Sequence, residues 1–153
     1  LINLRKVTIE DADYILNIRN DMKIRTTSGV NEVVSREKHR IWLNQFLQSE
    51  NNFYFIGEFN NERIGVVRFQ PFNNLSNISE VSISIYPQEY QHKGYGRCLL
   101  IKGIEFLKKN TNIEGIIARI RHNNETSLNF FKRNHFTLFS KDHEFLFLKL
   151  KIE

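Results

Sequence analysis

The sequence predicts an α+β fold in a single domain over residues 1–153, with helices packed on a mostly antiparallel sheet. Three observations carry that prediction. Apolar residues recur at helical spacing in some stretches and alternate strictly in others. The alternating stretches are short and turn-bounded, and several follow one another without a helix between them. The length of 153 residues and an apolar content of 41%, with 13 Phe, suit one hydrophobic core.

The chain opens with an alternating run, Ile2 to Val7, read as a strand. Thr8 stands three residues before Asp11, an N-cap pattern with acidic residues in the first turn. Ala12, Ile15, Leu16 and Ile18 then give the apolar face of a helix ending near Asn20. Asp21 to Val34 is polar and reads as a loop. Ser35 caps a second helix, in which Ile41, Trp42, Phe46 and Leu47 recur at helical spacing. From Phe53 to Phe59 the period becomes that of a strand, Asn60-Asn61 reads as a hairpin turn, and Arg63 to Phe69 as the antiparallel partner. Glu80 to Tyr86 alternates, with Val81, Ile83 and Ile85 facing one way, and Pro87 ends it for want of a ladder donor. A helix from Gly94 to about Lys109 buries Leu99, Leu100, Ile104 and Leu107. Gly115 to Ile120 is a strand, a helix begins near Asn123, and strands from Phe136 to Ser140 and Phe145 to Leu150 close the chain. The order is β-α-α-β-β-β-α-β-α-β-β.

Composition narrows the function. The 2 Pro and 7 Gly are scattered, so no linker or repeat is visible. Cys98 is the one cysteine, which excludes an internal disulfide and a thiolate cluster and fits a reducing cytoplasm. His39, His92, His122, His135 and His143 show no metal-ligand spacing, so no metal is expected. No apolar run is long enough to span a membrane, and the expectation is a soluble cytoplasmic protein with no membrane partner. A net charge of +5 favours anionic partners, an incidental basic surface being the plain alternative. The basic residues are dispersed without an aromatic-interleaved stripe, which argues against nucleic acid.

The most informative segment is Gln91-His92-Lys93-Gly94-Tyr95-Gly96-Arg97, a turn that follows a strand and opens a helix. Two glycines let the backbone bend and approach a ligand without a Cβ in the way. The first N–H groups of a helix lack intrahelical partners and carry partial positive charge, a seat for an anion such as phosphate. Lys93 and Arg97 add charge at its rim. Taken alone, the segment is equally a glycine-containing helix start with no ligand. It is neither a dinucleotide fingerprint, lacking the third glycine, nor a P-loop, lacking Gly-Lys-Ser/Thr.

Gln91-x-x-Gly94-x-Gly96 resembles the Q/R-x-x-G-x-G/A acetyl-CoA motif of the GNAT N-acetyltransferase family, and the segment Asn124 to Phe136 looks like the family's second signature, N-x-x-A/S-x-x-x-Y-x-K-x-G-F. The element order matches from about Asn3 to Leu150. The resemblance implies the GNAT acyl-CoA N-acyltransferase fold, a mostly antiparallel mixed sheet with helices on both faces. It also implies acetyl-CoA as acetyl donor and direct attack by a primary amine. Carried over residue by residue, it places Ile85, Tyr86 and Pro87 on the pantetheine arm, and Gln91, His92, Lys93, Gly94, Tyr95, Gly96 and Arg97 on the pyrophosphate. Asn124, Ser127 and Phe131 fall at cofactor-contacting positions of the second signature. Asn124 is also a good N-cap, and both roles are compatible.

Glu80 stands where family members often place a general base acting through water, although an acidic residue at a strand end is often only solvated. The signature's tyrosine, often proposed to protonate the leaving thiolate, aligns with Phe131, which has no proton to give and reads as packing. Tyr90 and Tyr86 are the substitutes on position, unless no acid is needed. Cys98 reads as a buried small hydrophobe rather than a nucleophile.

The acceptor region combines Arg19-Asn20, Arg25, and His39-Arg40-Ile41-Trp42. This pattern resembles the GNATs that acetylate the 4-amino group of a UDP-linked deoxy amino sugar in pseudaminic acid biosynthesis. The expected acceptor is thus a nucleotide-linked amino sugar, with Arg19 or Arg25 clamping its diphosphate. Trp42 either stacks on a ring or joins the core, and His39 reads as a structural or surface group rather than a base. Acetylation of a protein amine, as in the ribosomal-protein acetyltransferases, and a non-catalytic acyl-CoA-binding module are the alternatives. The apolar run Phe145-Leu146-Phe147-Leu148 serves the core or a homodimer interface.

Overall fold

A computed structural model describes residues 1–29 and 32–152. After β1 (Asn3–Lys6), Thr8 forms the expected capping box with Asp11, and a 3₁₀ turn leads into α1 (Ala12–Asn20). Asp11 is 1% exposed and paired with Arg5 at 2.8 Å and Arg63 at 3.0 Å. Burial alone would raise its pKa. Hydrogen bonds from Arg5, the Thr8 N–H and Arg63 outweigh burial and hold the carboxyl below its usual range.

The next elements are α2 (Met22–Ser28), α3 (Arg36–Gln48), β2 (Phe53–Phe59) and β3 (Glu62–Pro71). Then come β4 (Ile78–Ile85), α4 (Tyr95–Asn110), β5 (Gly115–Arg121), α5 (Glu125–Arg133), β6 (Thr137–Lys141) and β7 (Phe145–Lys151). The strands form one sheet in the order β1-β2-β3-β4-β5-β7-β6, antiparallel throughout except between β4 and β5. Helices cover both faces, as expected. Ala12, Ile15, Ile18, Leu43 and Phe46 of α1 and α3 pack on Tyr54, Ile56 and Val66. Leu99, Leu100 and Leu107 of α4 and Phe131 of α5 pack on Phe55, Val67, Val81 and Ile116 from the other side.

The β2–β3 hairpin turns through Asn60 and Asn61, both left-handed with φ of 51° and 65°. A bulge follows: Glu58 faces Arg63, but Gly57 faces Gly65, so Ile64 is the extra residue. It shifts the rest of β3 by one position and sets Arg68 opposite Tyr54. Arg68 therefore lies on the α1/α3 face.

Three expectations are corrected. The polar stretch after Asn20 is not all loop: it holds α2, capped by the Asp21 side chain accepting from the Ile24 N–H at 3.0 Å. Residues 30 and 31 of that stretch lie outside the described residues. Ile41 is 54% exposed, because the inward stripe of α3 is His39, Leu43 and Phe46. Cys98 is exposed, because Leu99, Leu100, Gly103 and Leu107 form the inward stripe of α4.

Candidate active site

The β4 and β5 strands pair only over Ile78–Gly115, Ser79–Ile116 and Glu80–Ile117. Beyond that point β4 runs on to Ile85 and β5 to Arg121 with no ladder between them, so the sheet opens into a fork. Backbone groups along the fork are open to an extended ligand that pairs as a strand would. Glu80 occupies the last paired position. Its register partners place it with Ser82 and Ser84 on the α1/α3 face, and its Oε2 lies 3.4 Å from Arg119 Nε.

The glycine turn closes the far end of β4. Gln91 donates its side-chain amide to the Ile85 carbonyl at 3.3 Å, which ties the turn to the strand. His92 and Gly94 are left-handed, with φ of 61° and 82°. No side chain caps α4, and a hydrogen bond at its start runs from Cys98 N to the Gly94 carbonyl at 3.3 Å. The N–H groups of Tyr95, Gly96 and Arg97 thus point out of the helix end. A Cβ at Gly94 would meet nothing within 4 Å, so the space before these groups is open. Lys93 and Arg97 are exposed beside it. Gly96 differs, since a Cβ there would lie 3.3 Å from Phe130.

Asn124 caps α5, its Oδ1 accepting from the Ser127 N–H at 3.2 Å. Phe131 is 7% exposed and packed edge-on against Phe130 and Phe136, with ring centres 5.0 Å apart in each pair. Its place is the core. The structure does not gather the candidate acids around Glu80. Tyr86 stands six residues further along, ~20 Å at strand rise. The Tyr86 carbonyl accepts from Tyr14 Oη at 2.7 Å. Tyr90 donates to Glu62, and that bond pushes its pKa up to about 12. Both tyrosines sit at the turn end of the fork, with Pro87 between them.

On the α1/α3 face, Arg19 donates to His39 Nδ1 at 3.2 Å and lies 4.7 Å from the Trp42 ring centre. His39 is fully buried, so it holds Arg19 and does not reach a ligand itself, contrary to its expected role in binding substrate. Burial first, then the Arg19 charge, lowers its pKa, which keeps the ring a neutral acceptor. The Asn20 amide brackets the Val34 backbone, at 2.9 Å to its carbonyl and 2.8 Å from its N–H, and Arg25 Nε donates to the Asn20 carbonyl at 3.2 Å. Both order the α1–α3 connection. The end of α2 reaches β5: a Cβ at Gly29 would meet the Arg121 guanidinium.

Arg68, Arg119 and Tyr14 escaped sequence reading. Alternation hinted at Arg68 and Arg119, each a charge in an otherwise apolar strand, but not at the face each occupies. The α1/α3 side of the sheet thus carries Arg68, Arg119 and Arg121, with Arg19 of α1 beside Arg68 at Trp42 and Glu80 paired with Arg119.

Residues 2–137 match the family model described as the acetyltransferase (GNAT) domain. The chain is 24% identical to the acetyltransferase PseH of Campylobacter jejuni over 151 residues, covering 99% of this chain and 92% of that protein. It is also 24% identical to the spermidine N(1)-acetyltransferase of Thermoplasma acidophilum, covering 99% and 98%. The solved structure of Campylobacter jejuni PseH with acetyl coenzyme A superposes with a TM-score of 0.75 at 22% identity, over 100% of both chains. The spermidine N-acetyltransferase of Vibrio cholerae with CoA and spermine superposes at 0.83 and 19% identity, over 99% of this chain and 94% of that one.

Proposed function

The chain belongs to the GNAT acetyltransferase family and is an acetyl-CoA-dependent N-acetyltransferase; we propose that its acceptor is the amino group of a nucleotide-linked deoxy amino sugar. The donor site fits the cofactor on three structural grounds: the uncapped α4 terminus, the open space before Gly94, and the fork. Tyr95, Gly96 and Arg97 would hold the pyrophosphate through their N–H groups, with Lys93 at the rim. The β4 edge near Ile85 would hold the pantetheine, with Asn124 across the fork. Bound acetyl-CoA supplies an acetyl thioester, whose C–S bond breaks as the amine's C–N bond forms.

A pyrophosphate held at the turn would leave the fork free for the pantetheine, with Glu80 at the closed end where β4 and β5 still pair. Glu80 then takes the ammonium proton of the acceptor, directly or through water. Tyr86 and Tyr90, at the opposite end, support the turn. No side-chain acid is required, since a CoA thiolate is a fair leaving group.

The observation that carries the acceptor reading is the charge of the α1/α3 face. Polyamine and sugar-linked acceptors differ most in sign, and the relatives named above divide their similarity evenly between a spermidine enzyme and PseH. Arg19, Arg68 and Arg121, beyond the Arg119–Glu80 pair, repel a polycation and attract a diphosphate. Thiol release with acetyl-CoA and a panel of amines tests it. Turnover of a UDP-linked 4-amino sugar, with a mass gain of one acetyl group, is the expected result. Turnover confined to spermidine or to peptides would overturn it.

A further inference from the structure

Arg19 of α1 and Arg68 of β3 meet at one aromatic group. Their guanidinium carbons lie 4.7 Å and 5.6 Å from the Trp42 ring centre. Arg68 is also 5.8 Å from the Phe46 ring centre and 5.7 Å from that of Tyr54. Both arginines are half-buried. Arg5, Arg36, Arg40, Arg63 and Arg119 all face carboxylates, whereas among the described residues Arg19 and Arg68 have none. Burial, and then the Arg68 charge, lowers the Arg19 pKa. Two like charges held together without a counter-ion gain from any anion placed between them and water. Planar guanidinium groups match phosphate oxygens in geometry as well as sign.

We infer that Arg19 and Arg68 together seat the phosphate groups of the acceptor, with Trp42 holding both guanidinium planes, and that Arg68 selects the acceptor by charge. The inference rests on the anionic acceptor proposed above and names the side chains that would recognise it. His39, buried and neutral, fixes Arg19 without cancelling its charge.

The test is a calorimetric titration of UDP into the full chain saturated with CoA, so that the α4 terminus is already filled. The wild type binds UDP. Arg19→Gln and Arg68→Gln each weaken UDP by about tenfold or more, the scale of a lost charged hydrogen bond. Arg68→Lys loses less, and CoA affinity stays unchanged in all. Arg68→Met, which keeps an apolar stem against Phe46 and Tyr54, replaces Arg68→Gln if the latter does not fold. Absence of UDP binding by the wild type, or unchanged affinity in both Arg variants, overturns the seat. If UDP binding depends on both arginines but no nucleotide-linked amine is acetylated, the seat stands and the proposed acceptor falls. If the sugar is acetylated with the same KM in both variants, the acceptor stands and the seat falls.

Discussion

Arg119 Nε lies 3.4 Å from Glu80 Oε2 at the residue where β4 and β5 part. Arg119 also stacks on Phe145 of the neighbouring strand, 4.8 Å from its ring centre. One strand thus orients the carboxylate of another at the closed end of the fork. Among the described residues the second oxygen of Glu80 makes no hydrogen bond.

Glu80→Gln preserves shape and removes the base. It lowers kcat by ~10²-fold or more, in the range of general-base catalysis, with little change in the KM for acetyl-CoA. Steady-state thiol release across pH measures it. Full activity at every pH would dismiss Glu80 as base.

Gly94→Val tests the donor seat. A branched side chain at φ 82° must strain or rebuild the turn, at a cost of ~1–2 kcal/mol, and it fills the open space before the α4 N–H groups. The KM for acetyl-CoA rises about tenfold or more while the melting temperature falls by only a few degrees. An unchanged KM in a folded variant contradicts the seat. Gly96 is the poorer probe, because a side chain there meets Phe130 as well as any ligand.

Phe131→Tyr asks whether the missing hydroxyl matters. A phenol among Phe130 and Phe136 buries a polar group, which costs about 1–3 kcal/mol if it finds no partner. Stability falls in denaturant titration and kcat does not rise. A clear gain in kcat would show that proton delivery at this position limits the reaction.

His39 gives stability a pH dependence. Its folded pKa lies below the ordinary 6.5, so between those two values the unfolded chain binds more protons and stability falls as pH drops below ~6.5. The slope is at most ~1.4 kcal/mol per pH unit for one proton. His39→Asn flattens the melting-temperature curve between pH 7 and pH 5. Parallel curves for the two proteins would contradict it.

Much of this was legible in the sequence, for identifiable reasons. The capping box at Thr8, the caps at Ser35 and Asn124, the Asn60-Asn61 turn and the Gln91 to Gly96 segment are local features, and local chemistry determines them. The α2 helix was hidden because a short surface helix needs no apolar stripe, only the Asp21 cap. Arg68 was hidden by a long-range feature. Without the bulge at Gly57/Glu58, Arg68 would pair with Phe53 and face α4, since one residue of register moves a side chain to the other side of the sheet. The place of Glu80 on β4 is legible from the strand pattern, but its partner Arg119 comes from a strand nearly forty residues later.

The most direct test of an anionic acceptor is the ratio of kcat/KM for a UDP-linked 4-amino sugar to that for spermidine, at saturating acetyl-CoA and fixed salt. The arginine-lined face predicts a ratio of ~10² or more, from at least two charged hydrogen bonds made to one acceptor and denied to the other. A ratio below one would contradict it.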